Sequence, residues 1–395
     1  MFLIQGGHQQ HSRVGPAISG GLASGVIWSP GDMTPDGLAA SASELRNGVQ
    51  AVDSQLYVAP LQDANPKKLP QHELFDVPLG PRDFSGRHLV SLVERVLGWQ
   101  HDLPVTHLLS PTVALESMNS RWAQIAADLA DTSLEHTRAQ GEGRPLLISV
   151  AAERSLLADP DNVDALLDEL TALEAHGFYL LFEIDPNLDP AQAAVLYERA
   201  LYIVHTLARL NEYTVWVGYA GLAGYVFRAV GAEAFGAGWF RKQQWWSPSH
   251  WTGAGGGRQP RPRVFLDSVV GSLILETELG PVARQRSDSV LLADVIASAG
   301  DLAESIGAGR SVTDDFTRDE LNAQLFAVCN ELDGRISGDV GRDLSRVLDD
   351  IAAAQQLHRR IRDVDIELDA RGGENLLAVW QTAVRGLAGT LGIPV

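Results

Sequence analysis

One cysteine and three lysines in 395 residues set the first limits on this chain. The lone thiol, Cys329, excludes a disulfide within the chain and any zinc site built on several cysteines; lying in a helical pattern, it reads as a small buried apolar residue. Apolar runs of roughly 18 residues are missing. The start, Met1-Phe2-Leu3-Ile4-Gln5-Gly6-Gly7-His8, has no basic stretch ahead of an apolar one. The expectation is a cytoplasmic protein with no membrane partner. A basic excess is missing too: 50 Asp+Glu against 31 Lys+Arg leave a net charge of −19. Wholesale coating of nucleic acid is therefore excluded, and any polyanion must bind at a local patch.

Such a patch is visible as a further absence, because residues 234–266 contain no Asp or Glu. They carry instead Arg241, Lys242, Arg258, Arg261 and Arg263, and four of the nine tryptophans, Trp239, Trp245, Trp246 and Trp251. Arginine offers forked donors to phosphate and tryptophan offers faces for stacking, so the segment reads as a lid for a flat, anionic ligand. On that reading Arg241, Lys242, Trp245, Trp246, Trp251, Arg258, Arg261 and Arg263 contact nucleic acid. The alternative is a loop whose tryptophans pack inward while the arginines extend outward. Two of the three lysines, Lys67 and Lys68, lie in another long loop at 59–81, and the two loops are expected to form one basic rim.

The first 240 residues alternate short apolar runs with helix-like segments. The candidate strands are 2–5, 25–29, 49–53, 106–110, 146–150, 178–184, 214–218 and 232–236. Eight strand-helix units of this size match a closed (β/α)8 barrel of TIM type; a doubly wound open sheet is the runner-up. Start signals mark several helices, among them Asp161 before 162–175 and Asp189 before 190–210. From Pro281 the pattern is wholly helical, with a capping box at Thr317-Arg318-Asp319-Glu320 and an apolar stripe of Leu344, Val347, Ile351, Ala354, Leu357, Ile361 and Val364. The expected organisation is a barrel over 1–280, with loops at 59–81 and 239–263, and a helical region over 281–395 packed on the barrel or on a protein partner.

In a parallel barrel the loops after the strands converge on one face, where polar residues are the first candidates for a site. Asp53 ends an apolar run and is the leading catalytic candidate as a general base, although an Asp there also caps turns. Glu183 and Asp185, two apart, would share a face of an extended strand and divide acid and base roles. Gln5, His8, Ser54 and Gln55 are the candidate ligand contacts around them. His8 and His11 are three apart, but spacing supplies no third ligand, so no metal is assigned. Gly218 and Gly221, then Gly236 and Gly238, punctuate the turns after the last two strands, the usual phosphate position in this fold.

Val217-Gly218-Tyr219-Ala220-Gly221, continuing through Gly231-Ala232-Glu233-Ala234-Phe235 to Arg241, resembles the end of the barrel in tRNA-guanine transglycosylases and their DNA-modifying relatives. Asp53-Ser54-Gln55 is similar to the Asp-Ser-Gly-Gly segment that follows the third strand there, where the Asp contacts and helps activate the base. The resemblance implies a nucleobase or nucleic-acid substrate, tRNA or single-stranded DNA, with Asp53 as acid/base. It departs at Gly236, which stands where the family has its nucleophilic aspartate, and at the zinc cysteines. If catalysis is kept, Glu183 or Asp185 is the reserve carboxylate. Two alternatives stay open: a small-molecule enzyme holding a phosphate or flavin mononucleotide on the glycine turns, and a catalytically silent binding or scaffold subunit.

Overall fold

The computed structural model describes residues 1–45, 47–252, 261–285, 290–297, 299–307, 310–312, 316–369 and 373–395. Nine short strands make the main sheet: β1 (Phe2–Gln5), β2 (Gly25–Trp28), β3 (Val49–Val52), β4 (Leu108–Leu109), β5 (Ala114–Leu115), β6 (Leu146–Ala152), β7 (Gly177–Phe182), β8 (Thr214–Val217) and β9 (Ala234–Ala237). All pairings are parallel, in the order β3-β2-β1-β9-β8-β7-β6-β4, with β5 continuing beside the end of β6. Strands covered on both faces must be apolar throughout, and β1, β6 and β7 are buried at every position.

The two free edges, β3 and β4, almost close the barrel. Thr106 and His107 N–H both donate to the Gln50 carbonyl, at 2.9 and 3.1 Å, and Gln50 N–H donates to Thr106 Oγ1 at 2.9 Å. This use of residues 106 and 107 explains why β4 is shorter than the expected 106–110. The fold is the expected α/β barrel of TIM type with a helical extension.

Local signals place most helices. Asp189 accepts from Ala191 and Gln192 N–H at the start of helix Pro190–His205. For the preceding helix the expected cap is two residues late: Asp159, not Asp161, caps Pro160–Ala172. The capping box forms, with Thr317 N–H on Glu320 Oε2 at 2.7 Å and Glu320 N–H on Thr317 Oγ1 at 3.3 Å.

Helix Arg318–Gly334, begun by that box, completes the barrel from beyond residue 280. It packs between helices Gln10–Ser19 and Gly224–Ala229 and against β1. Phe326 meets Phe2 at 5.9 Å and Trp239 at 6.0 Å, while Arg13 pairs with Asp319 at 3.2 Å and Arg228 with Asp333 at 2.5 Å. The eighth helix of the ring thus follows its strand after a long excursion.

That excursion includes an antiparallel hairpin, β10 (Arg263–Leu266) with β11 (Gly271–Ile274), which forms a second, smaller core with Leu357 and Ile361. The remaining helices form an outer layer. Glu374–Leu391 lies along Pro190–His205, where Tyr197 meets Trp380 edge to face at 6.3 Å. Val340–Asp363 packs on Gly224–Ala229 and Glu374–Leu391, and Tyr225 donates to Asp350 Oδ2 at 2.7 Å. Its stripe of Leu344, Val347, Ile351, Ala354, Leu357 and Ile361 is buried within the chain. Among the described residues no helix is long and apolar enough to cross a membrane.

Candidate functional site

Strand β3 delivers Asp53 to the carboxyl-end mouth of the barrel, where it is 5% exposed. Its Oδ1 accepts Gln55 N–H at 2.9 Å, so it caps the turn as a strand-end Asp does. Its Oδ2 accepts the Tyr57 hydroxyl at 2.8 Å and, more weakly, that of Tyr179 at 3.5 Å. Burial outweighs these donors and pushes the carboxyl up to about 6. A second hydroxyl pair, Tyr57 and Tyr219 at 3.4 Å, links the cluster to Gln55, whose Nε2 donates to Tyr219 at 3.2 Å and to Ser29 Oγ at 3.0 Å. Desolvation and the Asp53 charge raise the pKa of all three tyrosines, so they stay neutral donors. Ser54 is buried alongside.

Gln5 comes across the barrel from β1. Its Oε1 accepts Tyr219 N–H at 3.3 Å and the Tyr179 hydroxyl at 3.5 Å, which leaves Nε2 as a wholly buried donor with no partner. Leaving such a donor unmatched costs roughly 1–3 kcal/mol.

The glycines make this cluster fit. A Cβ on Gly218 would stand 2.2 Å from the Tyr179 hydroxyl, and one on Gly236 would stand 2.7 Å from Gln5 Oε1 and 3.3 Å from Ile27 Cδ1. A side chain at 236 would thus require the Gln5 amide to move aside. The glycine turns do not offer an open anion cup, because Gly218 N–H bonds Leu180, Ala220 N–H bonds the Gly236 carbonyl, and Gln244 and Gln243 lie against Gly221 and Gly238.

Beyond Asp53 the mouth is filled by aromatic rings. Tyr57 meets Trp246 at 5.5 Å and Trp251 at 5.3 Å, both edge to face, and Tyr219 meets Trp251 at 6.2 Å. Trp246 is fully buried. The loops that supply these rings meet as expected: Ala64 and Thr252 form an antiparallel bridge, and Asn65 N–H donates to the Trp251 carbonyl at 2.6 Å. The exposed side of the same seam carries Lys67, Arg241 and Lys242.

Several expected contacts fall elsewhere. Trp246 and Trp251 are plugs rather than open platforms, and Trp245 packs beside the His250 ring at 4.3 Å. Arg263 begins β10 and pairs with Asp369 at 2.6 Å, so it belongs to the hairpin; Arg261 is exposed just ahead of it, and Arg258 lies outside the described residues. His8 is exposed, 6.4 Å from the Phe240 ring. No group of three or more His, Cys, Asp or Glu among the described residues is arranged to hold a metal.

Glu183 and Asp185 do not share a strand face, because β7 ends at Phe182. Asp185 folds into a turn, accepting Asn187 N–H at 2.8 Å. Glu183 accepts Ser247 Oγ at 2.6 Å and Arg154 N–H at 3.2 Å. Beside it stands Glu153, after β6, which burial, then Glu183 and Glu116, push up to about 7. A groove of about 340 Å³ lined by Arg138, Arg144 and His176 opens at the amino ends of β6 and β7, away from this chemistry.

Sequence reasoning missed Tyr57, Tyr179 and Tyr219, since tyrosines in apolar runs read as core. A signal existed in the facing positions: Tyr179 on β7 pairs in register with β8 two residues before Gly218, which leaves room for its hydroxyl. No family model matches the chain, and no curated protein matches it.

Proposed function

We propose that the protein is a transglycosylase-like barrel that takes a nucleobase, free or carried on nucleic acid, into a lidded mouth where Asp53 meets it as acid/base. Asp53 carries this reading. A carboxyl with a pKa of about 6 is present in both protonation states near neutrality, as proton transfer requires. Its Oδ2 is held in the closed state by the Tyr57 hydroxyl, a group a base N–H can replace. The unmatched Gln5 Nε2 supplies a donor for a ligand oxygen in the same cluster. Tyr57, Trp246 and Trp251 bring the flat faces on which a base stacks once the loops part.

Covalent exchange through residue 236 is not part of the proposal, because glycine there carries no nucleophile. Glu183, with the protonatable Glu153 beside it, is the reserve carboxylate, whereas Asp185 is engaged in its turn. The filled mouth favours one second reading, a silent binding subunit whose plug is permanent. The phosphate or flavin alternative loses part of its support where the Gly218 and Ala220 amides are already bonded.

Equilibrium binding of free bases, nucleosides, tRNA and single-stranded DNA to the protein and to Asp53→Asn tests the proposal. Binding that Asp53→Asn weakens at least tenfold is expected. Absence of binding to every one of these, or equal binding by the variant, would overturn it.

A further inference from the structure

We propose that Gln55 is a positioning residue for Asp53: its side-chain amide fixes the direction of the hydroxyls of Tyr219 and Tyr57, so that each donates its proton toward the Asp53 carboxylate. The direction of this chain rests on the hydrogen bonds themselves; what Asp53 then does rests on the acid/base reading above.

The orientation of the amide follows from its partners. Oε1 faces the backbone N–H of Gly31 at 3.2 Å, and a backbone N–H only donates, so the other amide atom is the nitrogen. That nitrogen gives one hydrogen to Ser29 Oγ at 3.0 Å and one to the Tyr219 hydroxyl at 3.2 Å. An amide nitrogen does not accept, so the Tyr219 oxygen must, and the Tyr219 proton is left for the Tyr57 hydroxyl at 3.4 Å. Tyr57 in turn donates to Asp53 Oδ2 at 2.8 Å. On the outer arm Ser29 passes its proton to Asp32 Oδ2 at 3.1 Å, away from Asp53. Reversing the inner arm would leave the Tyr219 proton with no acceptor among the described residues.

A second observation comes from the backbone. Gln55 and Tyr219 both hold left-handed conformations, with φ of 57° and 51°, a region that neither glutamine nor tyrosine favours. The strain at Gln55 sets two donors on one acid: its backbone N–H reaches Asp53 Oδ1 at 2.9 Å, while its side chain acts on Oδ2 through the two tyrosines. Gly31 makes room for it, since a Cβ there would stand 2.7 Å from Gln55 Oε1. Gln55, Tyr57, Tyr219 and Asp53 are all buried, where each hydrogen bond in a chain polarises the next.

Donors aimed at Asp53 favour its carboxylate and oppose the burial that holds the proton on. The titratable groups around it are Tyr57, from the turn after β3, Tyr179, from β7, and Tyr219, from the turn after β8, all neutral; the ion pair of Asp32 with Lys67, at 2.5 Å, lies at the far end of the outer arm. The empty site thus keeps a charged acceptor ready for a base N–H near neutrality.

The test follows the Asp53 carboxyl by carbon NMR across pH, its signal assigned with Asp53→Asn, in the protein and in Gln55→Met, Tyr219→Phe, the two combined, and Gln55→Glu. Gln55→Met and Tyr219→Phe should each raise the proton affinity of Asp53 roughly threefold or more, and together no more than the larger of the two, because they cut one chain. Gln55→Glu keeps the shape and the acceptor for Gly31 but reverses the inner arm, so it should raise the affinity furthest. Binding of adenine, guanine, cytosine and uracil is measured on the same proteins. Where a base binds the carboxylate, its loss on acidification should move to higher pH in step with Asp53. Unchanged or lowered proton affinity in Gln55→Met, or additive effects of the two substitutions, would overturn the positioning role; if Gln55→Met does not fold, an unmoved titration in Tyr219→Phe and Gln55→Glu overturns it equally. A shifted Asp53 titration with no base bound by any of the proteins would keep the role and remove the base reading. Base binding that Asp53→Asn weakens, with the titration unmoved by the other variants, would remove the role and leave the base reading standing.

Discussion

Replacing Asp53 by Asn should stabilise the protein at neutral pH and do so much less in mild acid. Asn keeps the acceptor for Gln55 N–H and the shape of the side chain, and the Tyr57 hydroxyl can turn to face it. What it removes is a charge in a wholly enclosed site. Burial raises the carboxyl from 3.8 to about 6, so the folded state holds the proton more tightly than the unfolded chain does. That contribution to stability is fully present below the unfolded value and is lost as pH rises through about 6. The gap between variant and wild type should therefore widen from about 1 kcal/mol near pH 4.5 to about 3 kcal/mol near pH 7.5. Urea unfolding of both proteins across this range, compared at equal m value, measures the gap directly. A gap that stays flat with pH, or a variant less stable at the alkaline end, would refute the claim that Asp53 is a desolvated carboxylate.

Other substitutions examine the remaining parts. Gly218→Ala places a Cβ 2.2 Å from the Tyr179 hydroxyl and should cost roughly 1–3 kcal/mol, read as a lowered urea midpoint. Gly236→Asp should destabilise by a similar amount, roughly 1–3 kcal/mol, and fail to form a covalent base adduct detectable by mass spectrometry. Glu183→Gln should lower the pKa of Glu153 from about 7 toward the ordinary carboxylate range, followed by carbon NMR of the carboxyl groups. Thr317→Ala breaks the capping box of the eighth barrel helix and should cost about 1 kcal/mol in thermal or urea unfolding.

The strands of the barrel are legible because parallel strands buried on both faces need continuous apolar runs, and seven of the eight expected runs overlap an observed strand closely. The fourth is truncated by the bonds of Thr106 and His107 to Gln50, which no local pattern announces. Helix Arg318–Gly334 is legible as a helix from its capping box but not as the eighth member of the ring, because the long excursion after β9 hides its partner strand. Arg263 illustrates the opposite error. Its charge stands out in an acid-free stretch, yet the alternation of buried Val264 and Leu266 with half-buried Arg263 and Phe265 marks a strand. In the site, Asp53 and Gln55 are readable as strand-end polar residues. The tyrosines that surround them are not, since their hydroxyls acquire meaning only when β1, β3, β7 and the turn after β8 meet across the barrel. The basic, tryptophan-rich segment stands out in the sequence by its composition; the inward packing of Trp246 and Trp251 on Tyr57 goes with the bridge to residue 64, which no local pattern announces.

A crystal structure of the protein bound to the tightest nucleobase ligand would test the central claim most directly. The base is predicted to lie in the mouth with one edge within hydrogen-bonding distance of Asp53 and Gln5 Nε2, stacked on Trp246 or Trp251, with the Tyr57 hydroxyl withdrawn from Asp53. A base bound elsewhere, with the bond between Tyr57 and Asp53 intact, would contradict the account.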